Sequence, residues 1–231
     1  MLTIRFVLLF VLLLQGATGL RAQDCASLSW EANVTRDINT FGGSGWRSAS
    51  RVVSGSLPVI TLGIPIAFAL SGSVAGDRDV SLNGVVTGTT MLATYGSVFL
   101  AKAAIARTRP YLEHPTCIVG YSSETDGSMP SGHSAGTAAL AMALSLQYPE
   151  WYVIVPTVTY ALATGLSRMH LGMHYVSDVL IGYAIGAGIA YIVHVLRADI
   201  ERLFDPLLPS KSSNMYRLVP PTPLINITFG L

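Results

Sequence analysis

Five apolar stretches, at residues 52–72, 85–106, 133–148, 152–166 and 176–196, are separated by short polar breaks. Each is of helix length, and none alternates apolar and polar residues as a half-buried strand does. The pattern therefore predicts five helices. Asp77-Arg78-Asp79 and Tyr148-Pro149-Glu150 read as turns between them. Gly, Ala, Ser and Thr recur within the stretches, and such small residues let helices approach closely in lipid. The expected fold is all-α, a multi-helix transmembrane bundle over residues 51–204. The third and fourth stretches are short for a full crossing, which keeps a soluble helical bundle as the alternative.

The flanks differ from this centre. Residues 1–23 combine Arg5, an unbroken apolar run at 6–14 and small residues at Gly16, Ala17, Gly19 and Ala22. That is the layout of a signal peptide; a retained first transmembrane helix is the other reading. Residues 24–50 are polar and carry Trp30, Phe41 and Trp46. They form either an exported segment lying along the membrane surface, where Trp is favoured, or a linker packed on the bundle. Residues 205–231 make a Pro-rich carboxy-terminal tail.

Composition agrees with a membrane protein. Of 231 residues 51% are hydrophobic and only 12% charged, with mean hydropathy +0.51. A formal charge of +1 without basic runs excludes a nucleic-acid binder. If the amino terminus is exported, counting spans brings 102–109, 131–133 and 167–178 to the exported ends of the helices. The same count leaves Arg197, Arg202, Lys211 and Arg217 inside, as the positive-inside tendency expects. Cys25 and Cys117 then share a compartment that permits a disulfide. The sequence leaves open whether they pair, and no Cys/His spacing suggests zinc.

In so apolar a chain the charged residues that cluster are informative. Ser167-Arg168-Met169-His170-Leu171-Gly172-Met173-His174-Tyr175-Val176-Ser177-Asp178 holds an arginine, two histidines and an aspartate. On a helix, His174 and Asp178 would share a face, and a carboxylate beside an imidazole sets its tautomer and raises its basicity. Arg168 can clamp an anionic oxygen. Lys102 and Arg109 are two helical turns apart and would share a face, with Pro110 limiting the helix. Pro130-Ser131-Gly132-His133 precedes an apolar stretch and reads as a helix start. There Ser131 can cap, free backbone N–H groups can meet an anion, and Gly132 lets the backbone approach closely. Three cations, a helix amino terminus and two histidines suit a tetrahedral oxyanion. Evenly spaced His170, His174 and Asp178 could suggest a metal triad, but Gly172 interrupts them and Arg168 would repel a cation. No metal is expected, and His170 reads as a wall residue.

In this order the three blocks resemble the superfamily of type 2 phosphatidic acid phosphatases and vanadium haloperoxidases, with its pattern KxxxxxxRP, PSGH, SRxxxxxHxxxD. Lys102, Arg109 and Pro110, then Pro130 to His133, then Ser167, Arg168, His174 and Asp178 match every defining position over about residues 95–195. Val176 stands where many members carry proline. The resemblance implies a metal-independent phosphatase without cofactor, acting on a lipid phosphate or diphosphate at the outer membrane face. In that scheme His174 attacks phosphorus and becomes a phosphohistidine, Asp178 orients its ring, and His133 protonates the leaving alkoxide. Lys102, Arg109, Arg168, Ser131 and the Gly132 amide hold the phosphoryl oxygens. It also keeps two alternatives in view: a soluble exported acid phosphatase of small phosphoesters, and a vanadium-dependent haloperoxidase.

Overall fold

A computed structural model describes residues 25–210. The expected leader at 1–23 and the tail beyond 210 lie outside the described residues. After a short 3-10 turn at Cys25–Ser27 come nine α-helices: α1 (Trp30–Thr40), α2 (Ser44–Gly55), α3 (Leu57–Ala75), α4 (Arg78–Ile105), α5 (Pro110–Glu113), α6 (Gly132–Gln147), α7 (Trp151–His170), α8 (Val176–Val195) and α9 (Arg197–Phe204). The described residues contain no strand. The five predicted helices correspond to α3, α4, α6, α7 and α8.

Helix α6 is the axis of the bundle and packs against α3, α4, α7 and α8. Its residues are small, and Ala135, Ala139, Leu140 and Leu144 are buried. Close approach to α8 rests on Gly182 and Gly186. A Cβ at Gly186 would lie 2.0 Å from the Ala135 carbonyl oxygen, and one at Gly182 would lie 2.6 Å from that of Ser131. The two glycines thus set the first half of α8 directly against the start of α6. On the other side, a Cβ at Gly84 of α4 would meet the Ala69 nitrogen of α3 at 2.3 Å.

Among the described residues, three helical stretches are long and apolar enough to cross a membrane: Ser44–Ala75, Arg78–Glu113 and Val176–Val195. The outer faces of α3 and α4 carry Val74 at 89% and Leu92 at 78% exposure. Such a surface is suited to lipid and not to water. Central α6 has only 16 residues, short as its sequence stretch anticipates; α7 runs to 20 residues, as long as α8, but is less apolar, with Arg168 and His170 in its last turn.

The polar segment before the bundle is helical and packed. Asn39 of α1 donates to the carbonyls of Val119 and His170 (2.9 and 2.8 Å) and accepts from the Val119 amide (2.9 Å). Cys25 is disulfide-bonded to Cys117, 92 residues away. The segment is thus helical and packs on the bundle, while Trp30, Phe41 and Trp46 remain exposed.

Candidate active site

The site residues expected from the sequence lie at one end of the bundle, where α4 and α7 end and α6 and α8 begin. Lys102 is in the last turn of α4. The next residue after that helix, Ala106, is left-handed (φ 46°), which ends α4 and sends 107–109 across the bundle end. Arg109 is extended (ψ 150°) before Pro110 and caps α5, as a residue before proline should be. Lys102 and Arg109 therefore share no helix face, contrary to the spacing argument. They converge because both reach the connection between α5 and α6. Lys102 Nζ lies 3.0 Å from Asp126 Oδ2 and donates to the Gly127 carbonyl. Arg109 Nε donates to the Asp126 carbonyl (3.0 Å), and its Nη2 pairs with the Asp126 carboxylate.

Ser131 caps α6 as expected, its hydroxyl accepting from the Ser134 amide (3.4 Å), while its own amide donates to the Asp178 carbonyl (3.0 Å). Gly132 needs a different account. A Cβ there would meet Val98 at an ordinary 3.5 Å, so no part of the protein demands glycine. Gly132 and His133 line a 470 Å³ cavity with Lys102, Glu124 and Asp126, and Leu57, Tyr95, Val98 and Phe99 form its apolar wall.

His174 and Asp178 also differ from the helical-face expectation. His174 precedes α8, Tyr175 is its N-cap, and Asp178 is the third helical residue. The carboxylate folds back over the helix start. Its Oδ2 accepts from the Tyr175 amide (2.8 Å) and Ser128 Oγ (2.5 Å) and lies 3.6 Å from His174 Nδ1, just beyond hydrogen-bond distance. A capping box between Tyr175 and Asp178, not a shared helix face, brings the carboxylate to His174. Both side chains are buried.

Arg109 Nη1 lies 3.3 Å from His174 Nε2 and 3.1 Å from the Met173 carbonyl. A guanidinium only donates, so Nε2 is the acceptor and the ring proton sits on Nδ1, facing Asp178. Burial, with Arg168 and Arg109 nearby, outweighs Asp178 and pushes the His174 pKa down to about 4. His174 is thus neutral near pH 7, with a lone pair on Nε2.

Several charged residues of the site were not anticipated from the sequence. Glu124 bridges two arginines, with Oε2 2.6 Å from Arg109 Nη2 and Oε1 paired with Arg168 Nη2. Burial alone would raise its pKa, but Arg168 and Arg109 hold the carboxyl below its ordinary range. Arg168 also donates to Ser54 Oγ (2.8 Å). Arg107 pairs with Asp178 and Glu31. Glu124 and Asp126 lie within ten residues of the Pro-Ser-Gly-His block, and Arg107 two residues before Arg109. Charge beside a motif in a poorly charged chain was the available signal. His170 is not brought to the His174–Asp178 pair. Its Nε2 donates to the Phe41 carbonyl (2.9 Å) and its Nδ1 faces Ser50 Oγ (3.0 Å), which makes it a wall residue under α1 and α2.

The PAP2 superfamily profile matches residues 83–202, about half of the chain and all three blocks. The chain belongs to the PAP2 superfamily. Over 139 residues this PAP2 chain is 34% identical to a decaprenylphosphoryl-5-phosphoribose phosphatase of Mycobacterium tuberculosis, covering 59% of this chain and 73% of that protein. It is 32% identical over 109 residues to a lipid A 1-phosphatase of Rhizobium johnstonii, covering 46% and 44%. In fold it matches the crystal structure of a transmembrane PAP2-type phosphatidylglycerolphosphate phosphatase from Bacillus subtilis. The TM-score is 0.60 at 22% identity, over 84% of this chain and 96% of that one. The PAP2 chain is accordingly a membrane phosphatase, a hydrolase of phosphoric esters or diphosphates, built as an all-α transmembrane bundle.

Proposed function

We propose that this chain hydrolyses a lipid phosphate or diphosphate without a metal, through a phosphohistidine, at the exported face of the membrane. The observation that carries the reading is the placement of His174, with Nε2 3.3 Å from an Arg109 nitrogen and Nδ1 turned to Asp178. Nε2 attacks phosphorus in line and the bond to the leaving oxygen breaks. His133, whose pKa burial and Arg168 push down to about 3, takes up a proton as the anionic phosphate binds beside it and gives that proton to the leaving oxygen. It then takes a proton from water as water attacks the phosphohistidine, releasing phosphate and restoring His174. Lys102, Arg109 and Arg168, with Ser131 and the Gly132 amide at the start of α6, meet the charge on the phosphoryl oxygens. For the phosphate to reach Arg109 and Arg168, Glu124 must leave them.

A lipid substrate is supported by the apolar wall of the cavity at His133, by the exposed apolar faces of α3 and α4, and by relatives named for lipid-linked phosphates. The same exposed faces weigh against the soluble acid-phosphatase reading. The exported orientation rests on the span count and on the disulfide at this end of the bundle.

Rapid quench with radiolabelled phosphatidate tests the mechanism. A protein adduct that is acid-labile and absent from His174→Ala supports it; full turnover by His174→Ala overturns it. Activity should survive EDTA, and loss on chelation with recovery on a divalent ion would overturn the metal-free reading. Reporter fusions after Pro149 should read cytoplasmic and those after Cys117 exported.

A further inference from the structure

We propose that Arg107, held by Glu31 of α1, is a positioning residue that fixes Asp178 against His174. The disulfide-tethered α1 thereby becomes a working part of the site and not only a cover. This inference rests on the reading of His174 as nucleophile.

Asp178 is fully buried, and a buried carboxylate is tolerated when its oxygens are satisfied and its charge is paired. The two oxygens divide the work. Oδ2 faces His174 Nδ1, the Tyr175 amide and Ser128. Oδ1 receives Arg107 Nη1 at 2.8 Å. With Oδ1 anchored by Arg107, the carboxylate cannot rotate about its own axis without losing its ion pair, so Oδ2 stays turned to His174.

Arg107 is itself held from several sides. Its Nη1 also donates to Ser177 Oγ (2.8 Å), its Nη2 pairs with Glu31, and its guanidinium lies 4.1 Å over the Tyr175 ring. Ser177 Oγ in turn donates to the other Glu31 oxygen (2.5 Å). Glu31 thus accepts from Arg107 with one oxygen and from Ser177 with the other, a closed ring of Glu31, Arg107 and Ser177 attached to Asp178. Arg107 pairs with Asp178 and Glu31 and not with Glu124, the shared partner of Arg109 and Arg168, whose side chain is 27% exposed beside the cavity. Glu31 sits in the first turn of α1, shortly after Cys25, whose disulfide to Cys117 ties the segment to this end of the bundle.

The test is steady-state turnover of phosphatidate in detergent micelles by the full chain and by Arg107→Ala, Arg107→Lys and Glu31→Gln, with vanadate inhibition constants for each. Arg107→Ala should lower kcat about 10- to 100-fold, the scale of one or two charge-assisted hydrogen bonds, with KM and the vanadate constant within about twofold. Arg107→Lys should recover part of kcat, because a cation on Oδ1 is restored without the fork. Glu31→Gln should lower kcat in the same direction, and combining it with Arg107→Ala should add little, since both act through one ring. Unchanged kcat in Arg107→Ala, with His174→Ala inactive, overturns the inference and leaves the phosphohistidine reading standing. Equal loss of kcat and of vanadate affinity in Arg107→Ala would also overturn it, by making Arg107 a phosphate ligand or a general structural residue. Full activity in His174→Ala would remove the reading beneath it.

Discussion

Arg109 stands 3.3 Å from His174, guanidinium nitrogen to Nε2, and so decides which ring nitrogen carries the proton. The contact also defines what Asp178 must do in the proposed mechanism, where the proton on Nδ1 needs an acceptor as the ring becomes cationic. Asp178→Asn should therefore cost more than lost charge. The amide can turn its NH2 toward Nδ1 and favour the wrong tautomer, and kcat should fall by about 10³- to 10⁴-fold while vanadate still binds. Retention of a tenth of wild-type kcat in Asp178→Asn would show that the tautomer is not controlled there.

Glu124 places a carboxylate across Arg109 and Arg168, where the phosphoryl oxygens are proposed to sit. An internal anion competes with an external one. Glu124→Gln should bind vanadate about tenfold more tightly, the order of one charge-assisted hydrogen bond released. Calorimetric titration of the purified protein measures this directly. Weaker binding would mean that Glu124 helps to hold the anion and does not stand in for it.

Acid should destabilise the protein through His174. Its folded pKa, about 4, lies below the ordinary value of about 6.5. Between these values the unfolded chain binds the proton and the folded chain does not, so stability is complete above pH 6.5 and falls as pH drops toward 4. The full loss is on the order of 3 kcal/mol for so buried a ring. Thermal unfolding of the wild type should weaken between pH 7.5 and pH 5, and that difference should shrink in His174→Gln. An equal pH difference in the two proteins would assign the effect to other groups.

The bundle was legible because its helices are apolar runs set apart by polar breaks, and the blocks at 102–110, 130–133 and 167–178 marked their shared end. What sequence spacing misjudged were the connections. Arg109 follows a left-handed Ala106 and His174 precedes an N-cap, so helical periodicity did not apply to either. Capping geometry and a break in the chain, not a shared face, bring those side chains together. Glu31, Glu124 and Asp126 were not legible as partners. Their pairing depends on how α1 and the 114–131 connection fold over the bundle end, and no local pattern carries that. The two halves of the disulfide are likewise 92 residues apart, and only the fold brings them into contact.

The helix contact that sets the site can be tested apart from the chemistry. At Gly186 a Cβ would lie 2.0 Å from the Ala135 carbonyl oxygen, whereas at Gly188 it would meet nothing within 4 Å. Gly186→Ala must push α8 from α6, moving Asp178 and His174 from Ser131 and His133. It should cost on the order of 2 kcal/mol or more and lower activity with it, while Gly188→Ala should match the wild type in both unfolding temperature and turnover. Equal behaviour of the two variants would show that α6 and α8 are not so closely packed.

The walls of the cavity bear on what is attached to the phosphate. The cavity at Lys102 and His133 has polar groups at one side and Leu57, Tyr95, Val98 and Phe99 at the other. Leu57 and Val98 are buried while Phe99 is 72% exposed on the outer face of α4, so the apolar wall runs from the site toward the lipid-facing surface. A leaving group that is an acyl or prenyl chain can follow that wall, gaining roughly 0.8 kcal/mol per buried CH₂. Burial of only four such groups corresponds to about two-hundredfold in kcat/KM. In mixed micelles phosphatidate should therefore exceed glycerol 3-phosphate by at least that factor. Val98→Asn should reduce the ratio, because a polar side chain on the wall penalises the chain and not the phosphate. Turnover of glycerol 3-phosphate at a kcat/KM equal to that of phosphatidate would reject the lipid reading and return the chain to the class of enzymes that act on small phosphoesters.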